Sequence, residues 1–233
     1  MNAEGVRPHE KFEGVYWVRF QDGSRRLATQ NLSPGHAVYG EDLVKLDRKE
    51  YRTWDAFRSK LAAAILKGVR EVPISSGRSV LYLGAASGTT ASHVSDIVGE
   101  DGAIFCVEFA QRTMRELIEH VCSLRPNMSP ILADARLPNT YSSLVPQVDA
   151  VYCDVAQPEQ AKILADNADL FLKKSAKAMI ALKSRSVDVT MTPASVFTRE
   201  KHTLEQRGFT ILETVRLEPY EQDHAMIVAA KQN

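Results

Sequence analysis

The sequence predicts an α/β fold in which a mostly parallel sheet with one reversed strand follows a small N-terminal β domain. From about Phe57, strand-sized apolar runs alternate with amphipathic helices, which is typical of a parallel sheet covered on both faces. Residues 14–54 show strand and turn patterns instead. Near the end of the chain, Glu218–Glu221 is too short for a crossover helix, so the strands on either side of it pair antiparallel. The predicted domains are residues 1–54 and 55–233.

The N-terminal region begins with a predicted hairpin. Apolar residues within Val15–Phe20 precede a turn at Gln21–Ser24, and a second strand covers Arg26–Thr29. A loop at Asn31–Gly35 follows. Short apolar stretches within Ala37–Trp54 are expected to complete a small sheet.

The α/β region begins with the apolar strand Ser79–Leu83, followed by a helix whose end is marked by Gly99. A second strand, Ala103–Val107, leads to a helix with apolar residues at helical spacing between Met114 and Cys122. The remaining predicted strands are Ser129–Leu132, Val148–Cys153, Ala178–Leu182, Phe209–Leu217 and Ala225–Ala230.

Length and charge bound the class of protein. A chain of 233 residues can form one large α/β domain with a small appendage, and therefore a complete active site. Basic and acidic residues number 29 each, so the net charge is zero. A stand-alone nucleic-acid binder is expected to be strongly basic, so any binding to RNA should depend on additional components.

The cysteines and apolar runs bear on location. Cys106, Cys122 and Cys153 lie far apart without a CxxC pair, which excludes a zinc ribbon and a disulfide framework. No cluster of His, Cys and Asp has the spacing of metal ligands, so no metal is predicted. No apolar run has the length of a signal peptide or a membrane span. We therefore expect a protein of the cytoplasm or a nucleus-like compartment, with no membrane partner.

A loop of small residues, Gly84–Thr90, follows the first strand of the α/β region. Small residues allow a ligand to approach the backbone closely, and the hydroxyls that follow can cap the helix or contact the ligand. The loop is a candidate nucleoside-binding loop. A tight strand-to-helix turn with a threonine cap is the alternative interpretation.

Acidic residues follow the next two strands. Glu108 lies where a carboxylate can accept hydrogen bonds from both ribose hydroxyls of NAD or of S-adenosylmethionine. Asp134 lies where its carboxylate can accept a hydrogen bond from the adenine amine, while the backbone amide of Ala135 can donate to a ring nitrogen. The absence of GxGxxG and the reversed last strand favour S-adenosylmethionine over NAD. The alternative role of Glu108 is charge complementarity with a helix N-terminus.

Four further polar residues are expected near the same edge. Asp154 follows the fourth strand and Lys183 ends the fifth, at the carboxyl edge where open α/β sheets bind ligands. Lys60 lies on a helix before the first strand, and His224 lies just before the last strand. Taken singly, Asp154 also suits a helix cap, and the other three suit the solvated surface. They become candidate site residues because all four are expected near the same edge of the sheet.

These segments resemble the fibrillarin family, most closely its archaeal fibrillarin-like form. The resemblance covers nearly the whole chain, with segments in the family's order and spacing: Tyr82–Gly99, Val107–Phe109, Asp134–Arg136, Asp154–Pro158, Lys183–Thr190 and Glu218–Ala225, extended by Arg58–Leu66 and Asn31–Glu41. The sequence shows no Gly/Arg-rich N-terminal tail, so the nucleolar eukaryotic form is a poorer match. Asp55–Phe57 also departs from the usual archaeal pattern.

The resemblance implies a Rossmann-like class I S-adenosylmethionine-dependent methyltransferase sheet and an RNA 2′-O-methyltransferase of a box C/D guide ribonucleoprotein, acting on rRNA and tRNA. The implied partners are a Nop-domain scaffold protein, a kink-turn-binding ribosomal-type protein, the box C/D guide RNA and the substrate RNA. The implied location is the cytoplasm of an archaeal-type cell, or the nucleolus if the cell is eukaryotic. The family's Lys-Asp-Lys-His tetrad falls on Lys60, Asp154, Lys183 and His224. The implied cofactor-binding residues are Gly84, Ala85, Thr89, Thr90, Glu108, Phe109, Asp134, Ala135, Asp154, Val155, Ala156 and Gln157.

A mechanism follows as a hypothesis. A ribose hydroxyl is a poor nucleophile at neutral pH, so the protein must align the reacting atoms and remove one proton. Lys183 is the candidate to accept that proton, since a second lysine nearby would lower the pKa of Lys183 while Asp154 holds the cluster together. Lys60 would orient the hydroxyl or a phosphate, and His224 would complete the network. A charged, purely orienting Lys183 is the alternative. Competing functions are a non-catalytic structural subunit and a small-molecule methyltransferase.

Overall fold

Two β-sheets organise the protein in this computed structural model, which describes residues 3–232. The first sheet contains β1 (Ala3–Pro8), β2 (Val15–Phe20), β3 (Arg25–Gln30), β4 (Leu43–Leu46) and β5 (Lys49–Trp54). The second contains β6 (Ser79–Leu83), β7 (Ala103–Glu108), β8 (Met128–Leu132), β9 (Val148–Cys153), β10 (Leu172–Lys183), β11 (Phe209–Arg216) and β12 (His224–Lys231). The helices are α1 (Lys60–Leu66), α2 (Thr89–Val98), α3 (Gln111–His120), α4 (Gln160–Phe171), α5 (Ser184–Val187) and α6 (Pro193–Gln206).

The larger sheet has the order β11-β12-β10-β9-β6-β7-β8. Strands β6 to β10 pair in parallel, whereas β12 is antiparallel to both β10 and β11. The predicted mostly parallel sheet with one reversed strand near its edge is therefore confirmed. Strand β10 begins at Leu172 rather than at the predicted Ala178, because polar residues around Ser175, whose φ is 58°, conceal the early part of the strand.

The smaller sheet has the order β1-β2-β3-β5-β4 and is antiparallel throughout. The predicted hairpin corresponds to β2 and β3. Strand β1 was not predicted, because Gly5 and Pro8 give that segment little strand character. Trp54 and Leu27 of this sheet share one buried core with Leu61 of α1. The division into domains 1–54 and 55–233 remains a prediction.

Side chains alternate between the two faces of the larger sheet. Tyr152, Met179 and Met226 lie on the face covered by α1 and α2, in one buried cluster. Their neighbours Cys153 and Ile180 point to the opposite face and pack in the cluster that includes α4 and α6. Because the side-chain period of a strand is two residues, this alternation also decides on which face the strand ends present their polar groups.

A buried ionic network connects the smaller sheet to α2. Arg52 of β5 binds Asp96 of α2 at 3.0 Å and Glu41 at 2.6 Å, and Arg125 also pairs with Asp96. These side chains have at most 1% of their surface exposed. Burial lowers the pKa of Arg125, while Asp96 opposes that effect and Arg52 adds to it. Asp96 is therefore the shared counter-ion of two buried arginines.

A second carboxylate, Asp149 of β9, joins three strands. It accepts hydrogen bonds from the amide and hydroxyl of Ser79 at 2.9 and 2.8 Å and from Lys173 at 2.7 Å. Burial acts to raise the pKa of Asp149, but these partners outweigh it and lower the pKa to about 2. An unfolded aspartate has a pKa of about 3.9, so the contribution of Asp149 to stability is present above about pH 4 and is lost as the pH falls towards 2.

Asp149→Asn is expected to lower the free energy of unfolding at neutral pH and to flatten its acid dependence between about pH 4 and 2. Urea unfolding at a series of pH values measures both effects. The exposed Asp101 provides the control, and Asp101→Asn should leave the curve unchanged. Identical acid dependence in Asp149→Asn and the unmodified protein would contradict the assignment.

Candidate active site

The loops that follow the central strands meet at one edge of the larger sheet. Strand β6 has β7 and β8 on one side and β9 and β10 on the other, so the direction of winding changes next to it. At such a point the loops after adjacent strands diverge and leave a crevice at the carboxyl edge. The loops after β6, β7, β8 and β9 line this crevice.

Gly84 allows two of these loops to touch. Its φ is +80°, and a Cβ at this position would lie 2.5 Å from the carbonyl oxygen of Asp154 and 3.2 Å from Val155. Its amide donates to Val107 at 2.9 Å, while the amide of Asp154 donates to Leu83 at 2.9 Å. A larger residue would push the loops apart, so the contact between them requires glycine at position 84.

Glu108 lies at the base of the crevice and organises its walls. The residue is 7% exposed. One carboxylate oxygen accepts from the amide of Ala86 at 3.0 Å, and the other accepts from the amide of Ala110 at 2.8 Å. Ala86 has a φ of 47°, a conformation that this hydrogen bond supports. Glu108 thus holds the loop after β6 against the start of α3.

The crevice is a cavity of about 290 Å³. The predicted cofactor-binding residues that line it are Gly84, Glu108, Phe109, Asp134, Ala135, Asp154, Val155, Ala156 and Gln157. The other residues of the lining are Ala86, Val107, Ala133, Arg136 and Ile163. Ala86 lies in the predicted nucleoside-binding loop, but none of the five was singled out as a binding residue. Most of these are small or apolar and follow a strand or begin a helix, so nothing in their chemistry marked them.

Three predicted residues lie outside this lining. Ala85 is buried, and its amide donates to Val107 at 3.2 Å. Thr89 is half-buried in the first turn of α2. The buried Thr90 donates its hydroxyl to Ser59 at 3.0 Å. Because Ser59 is the N-cap of α1, this hydrogen bond connects the first turns of α1 and α2.

Asp134 is engaged by a residue that the sequence analysis did not assign. The Arg136 guanidinium binds the Asp134 carboxylate at 2.6 and 2.9 Å, and the Arg136 amide donates to it at 2.9 Å. These hydrogen bonds lower the pKa of Asp134. The carboxylate therefore stays charged at the rim of the cavity.

The predicted pair of Lys60 and Asp154 is in contact. The Lys60 ammonium lies 3.0 and 3.1 Å from the two carboxylate oxygens of Asp154. Helix α1 begins at Lys60 because Ser59 caps it, accepting from the amide of Ala62. Burial acts to lower the pKa of Lys60, but Asp154 and Glu221 outweigh it, so the pKa is raised. Lys60 is consequently a fixed ammonium group.

Lys183 and His224 are brought together by strand register. They are paired residues at the ends of the antiparallel strands β10 and β12. Paired residues project to the same face with their Cβ atoms about 4.5–5.5 Å apart, so the two side chains are neighbours. The Lys183 amide donates to the side chain of Gln160 at 3.0 Å, which holds this strand end against α4.

The hydrogen bonds of His224 define its tautomer. Its Nδ1 lies 2.5 Å from the carbonyl oxygen of Gln222 and 3.8 Å from the Glu221 carboxylate. Since a carbonyl only accepts, Nδ1 carries a proton, and in the neutral ring Nε2 is an acceptor. Glu221 also acts on Lys60, so this carboxylate connects two members of the predicted tetrad. Sequence reasoning did not single out Glu221, although it lies three residues before His224.

All four tetrad residues belong to one face of the sheet. Asp154, Lys183 and His224 each lie an even number of residues from Tyr152, Met179 and Met226 on their respective strands. Their side chains therefore share the face that α1 covers. Helix α1 brings Lys60 onto that face. Asp154 also lines the cavity, so the charged cluster and the cavity share one carboxylate.

Neither a membrane-spanning helix nor a metal-binding cluster occurs within residues 3–232. No helix in this range is long and apolar enough to cross a membrane. No group of three or more His, Cys, Asp or Glu side chains in the same range is arranged to hold a metal ion.

Comparisons with known proteins agree with this geometry. The family model described as Fibrillarin matches residues 6–233. The chain is 57% identical over 224 residues to the fibrillarin-like rRNA/tRNA 2′-O-methyltransferase of Methanopyrus kandleri, covering 96% of each chain. It resembles Aeropyrum pernix fibrillarin in complex with natively bound S-adenosyl-L-methionine, with a TM-score of 0.92, 51% identity, and coverage of 98% and 100%. A structure of a fibrillarin/Nop5p complex matches with a TM-score of 0.82, 40% identity, and coverage of 97% and 100%.

The sheet order and the crevice beside its central strand define the fold of an S-adenosylmethionine-dependent methyltransferase. Within that class, the chain belongs to the fibrillarin family. The resemblance predicted from the motifs is therefore confirmed.

Proposed function

We propose that this protein transfers a methyl group from S-adenosylmethionine to ribose 2′-hydroxyls of rRNA and tRNA, as the catalytic subunit of a box C/D guide ribonucleoprotein. One observation carries the proposal. Asp154 lines the cavity and also binds the Lys60 ammonium at 3.0 Å, beside the neighbouring strand ends that present Lys183 and His224. A site for a nucleoside and a cluster of proton-handling groups are thus adjacent.

The residues of the cavity fit S-adenosylmethionine, which supplies an activated methyl group when bound. Glu108 offers a carboxylate for the two ribose hydroxyls, and Asp134 offers one near the predicted adenine position. Phe109 is 62% exposed at the cavity, where its ring can pack on the base. The backbone approach at Gly84 keeps the floor of the cavity free of side-chain bulk.

The charged cluster supports positioning of the hydroxyl and removal of its proton. Lys60, fixed by Asp154, orients the ribose hydroxyl or the adjacent phosphate. This alignment of the reacting atoms accounts for part of the rate. Lys183 accepts the proton, which is the role proposed for it from the sequence. His224, whose Nδ1 proton is directed to Gln222, keeps Nε2 as a hydrogen-bond acceptor in its neutral form, and its strand neighbour is Lys183.

The net charge of zero suits a subunit that does not select RNA on its own. In an RNA-guided enzyme, base pairing selects the target and the protein supplies the chemistry. The match to fibrillarin in a complex with Nop5p supports a Nop-domain scaffold protein as the direct partner. The guide RNA, the substrate RNA and a kink-turn-binding ribosomal-type protein complete the proposed particle, which we place in the cytoplasm of an archaeal-type cell.

Transfer of a labelled methyl group from S-adenosylmethionine to a guided RNA tests the proposal. The reconstituted particle should label the nucleotide chosen by the guide, and a guide with a scrambled spacer should abolish that label. Failure of the complete particle to transfer methyl groups would indicate a structural subunit. Transfer to a small molecule by the isolated chain would indicate a small-molecule methyltransferase.

Replacement of Glu108 by alanine or glutamine is expected to weaken binding of S-adenosylmethionine by about 1–3 kcal/mol. Alanine removes both acceptor oxygens. Glutamine retains one of them but opposes an NH₂ group to the amide of Ala86 or Ala110, so it also disturbs the loop. Isothermal titration calorimetry measures the effect, with Glu116→Gln, at a partly exposed position of α3 outside the cavity, as a control. Unchanged affinity in both variants would contradict the placement of Glu108.

A further inference from the structure

Strand β10 extends past its parallel neighbour at the end that carries Lys183. The last residue of β9, Cys153, pairs with Ile180, so the final residues of β10 extend beyond β9. On the other side, β10 stays paired with β12 as far as Lys183 and His224. Lys183 therefore lies on a strand end that is supported by a neighbouring strand on one side only.

The directions of the backbone amides show which side needs support. Successive amides of a strand point to opposite neighbours. The Ser184 amide donates to the carbonyl of Asp223 at 3.1 Å, on the side of β12. The Lys183 amide consequently points to the side where β9 has ended. A buried backbone amide needs an acceptor there, and no strand supplies one.

Gln160 supplies that acceptor. The oxygen of its side-chain amide accepts from the Lys183 backbone amide at 3.0 Å. Gln160 is the first residue of α4, is fully buried, and follows Asp154 by six residues. The amide of the next residue, Ala161, donates to the Glu200 carboxylate of α6 at 3.1 Å, which fixes the start of α4. The Gln160 side chain thus takes the place of a strand and joins Lys183 to the segment that carries Asp154.

The rest of the Gln160 side chain has no comparable contact. Within residues 3–232, its NH₂ nitrogen is buried and has no hydrogen-bond partner. Burying such a donor unpaired costs free energy. A hydrocarbon side chain of similar length would avoid that cost but could not bind the Lys183 amide. Gln160 also lies outside the cavity lining, so its contact with Lys183 is what accounts for a polar side chain at this position.

We propose that Gln160 is a positioning residue of the methyl-transfer reaction, which fixes Lys183 where the ribose hydroxyl arrives by binding the Lys183 backbone amide. The inference rests on the proposed function and adds to it a residue outside the tetrad. A displacement of about 1 Å at a reacting group can lower the rate on the order of 10²-fold. Loss of this hydrogen bond is therefore expected to lower kcat and to leave the binding of both substrates unchanged.

Hydrogen exchange of the full chain, followed by NMR, tests the hydrogen bond without relying on activity. Gln160→Met keeps the length of the side chain and removes the acceptor, so the Lys183 amide should exchange about fivefold faster. Gln160→Glu retains an acceptor oxygen and should keep that amide protected. Gln206→Met makes the same change at an exposed position at the end of α6 and is the matched control. Equally fast exchange in Gln160→Glu and Gln160→Met would contradict the role of the acceptor.

Steady-state kinetics of the reconstituted particle test the effect on the reaction. Gln160→Met should lower kcat about 10- to 100-fold. KM for the substrate RNA and KM for S-adenosylmethionine should each change less than about twofold. Combined with Lys183→Ala, the same change should not lower the residual rate further, because Gln160 acts only through Lys183. Gln206→Met should keep the kcat of the unmodified particle.

The outcomes separate this proposal from the proposed function. Full kcat in Gln160→Met, although the Lys183 amide exchanges faster, would overturn the positioning role. An equal loss of rate with and without Lys183→Ala would overturn it too, since that result indicates a general disturbance of the fold. Lack of methyl transfer by the unmodified particle would instead contradict the proposed function, whatever the exchange rates.

Discussion

Lys183→Ala is expected to reduce kcat for methyl transfer by about 10²–10⁴-fold, the usual effect of removing a group that moves a proton in the transition state. Affinity for S-adenosylmethionine should stay within about tenfold, or 1.4 kcal/mol, because the cavity is lined by other residues. The end of β10 should keep its position, because residue 183 binds the Gln160 side chain through its backbone amide, which alanine retains. Labelled methyl transfer in the reconstituted particle and calorimetry measure the two quantities.

Two variants sharpen this experiment. Lys174→Ala removes an exposed lysine from the opposite end of β10 and should leave kcat unchanged. Lys183→Arg keeps the positive charge but cannot release a proton near neutral pH, so it should be as inactive as the alanine variant. An active Lys183→Arg would show that Lys183 only orients the hydroxyl. Full activity of Lys183→Ala would remove Lys183 from the mechanism.

Strand ends carry most of the information that the sequence offers about the site. Asp154 follows an apolar strand and Lys183 ends one, and the parallel arrangement places such positions at one edge. The short turn before His224 predicts that β11 and β12 pair antiparallel, but His224 lies beside Lys183 because β12 also pairs with β10. The position of each strand end follows from local patterns, whereas the pairing of β10 with β12 does not.

Contacts between distant segments could not be predicted in this way. Thr90 is predicted at the cofactor because it follows the small-residue loop, but its hydroxyl binds Ser59, which is 31 residues earlier. Glu108 and Ala86 are 22 residues apart, and only the folded loop shows that the carboxylate binds that amide. Such pairs depend on how helices dock on the sheet, which residue patterns along the chain do not specify.

The buried network at Asp96 is an extreme case of the same limit. Arg52 lies 44 residues before Asp96 and Arg125 lies 29 residues after it. Taken along the chain, each is an ordinary charged residue that would be expected at the surface. Packing of the smaller sheet on α2 buries all three side chains together. The attachment of that sheet therefore depends on a charge balance that is visible only in three dimensions.

Asp96→Ala is expected to lower the free energy of unfolding by about 3–5 kcal/mol, because it leaves two buried guanidinium groups without their shared counter-ion. Arg52 would retain Glu41, whereas Arg125 would retain only neutral acceptors such as the Asn31 side chain. The larger cost should therefore fall on Arg125. Urea unfolding at neutral pH, monitored by circular dichroism, measures the loss.

A double-mutant cycle identifies the cause of that loss. Arg125→Met combined with Asp96→Ala should be less destabilising than the sum of the two single changes, since the double variant no longer buries the unpaired Arg125 cation. The exposed Glu100 on the loop after α2 provides the control, and Glu100→Gln should stay within about 0.5 kcal/mol. Additive effects in the cycle, or a loss below about 1 kcal/mol for Asp96→Ala, would mean that Asp96 is not the counter-ion that joins the smaller sheet to α2.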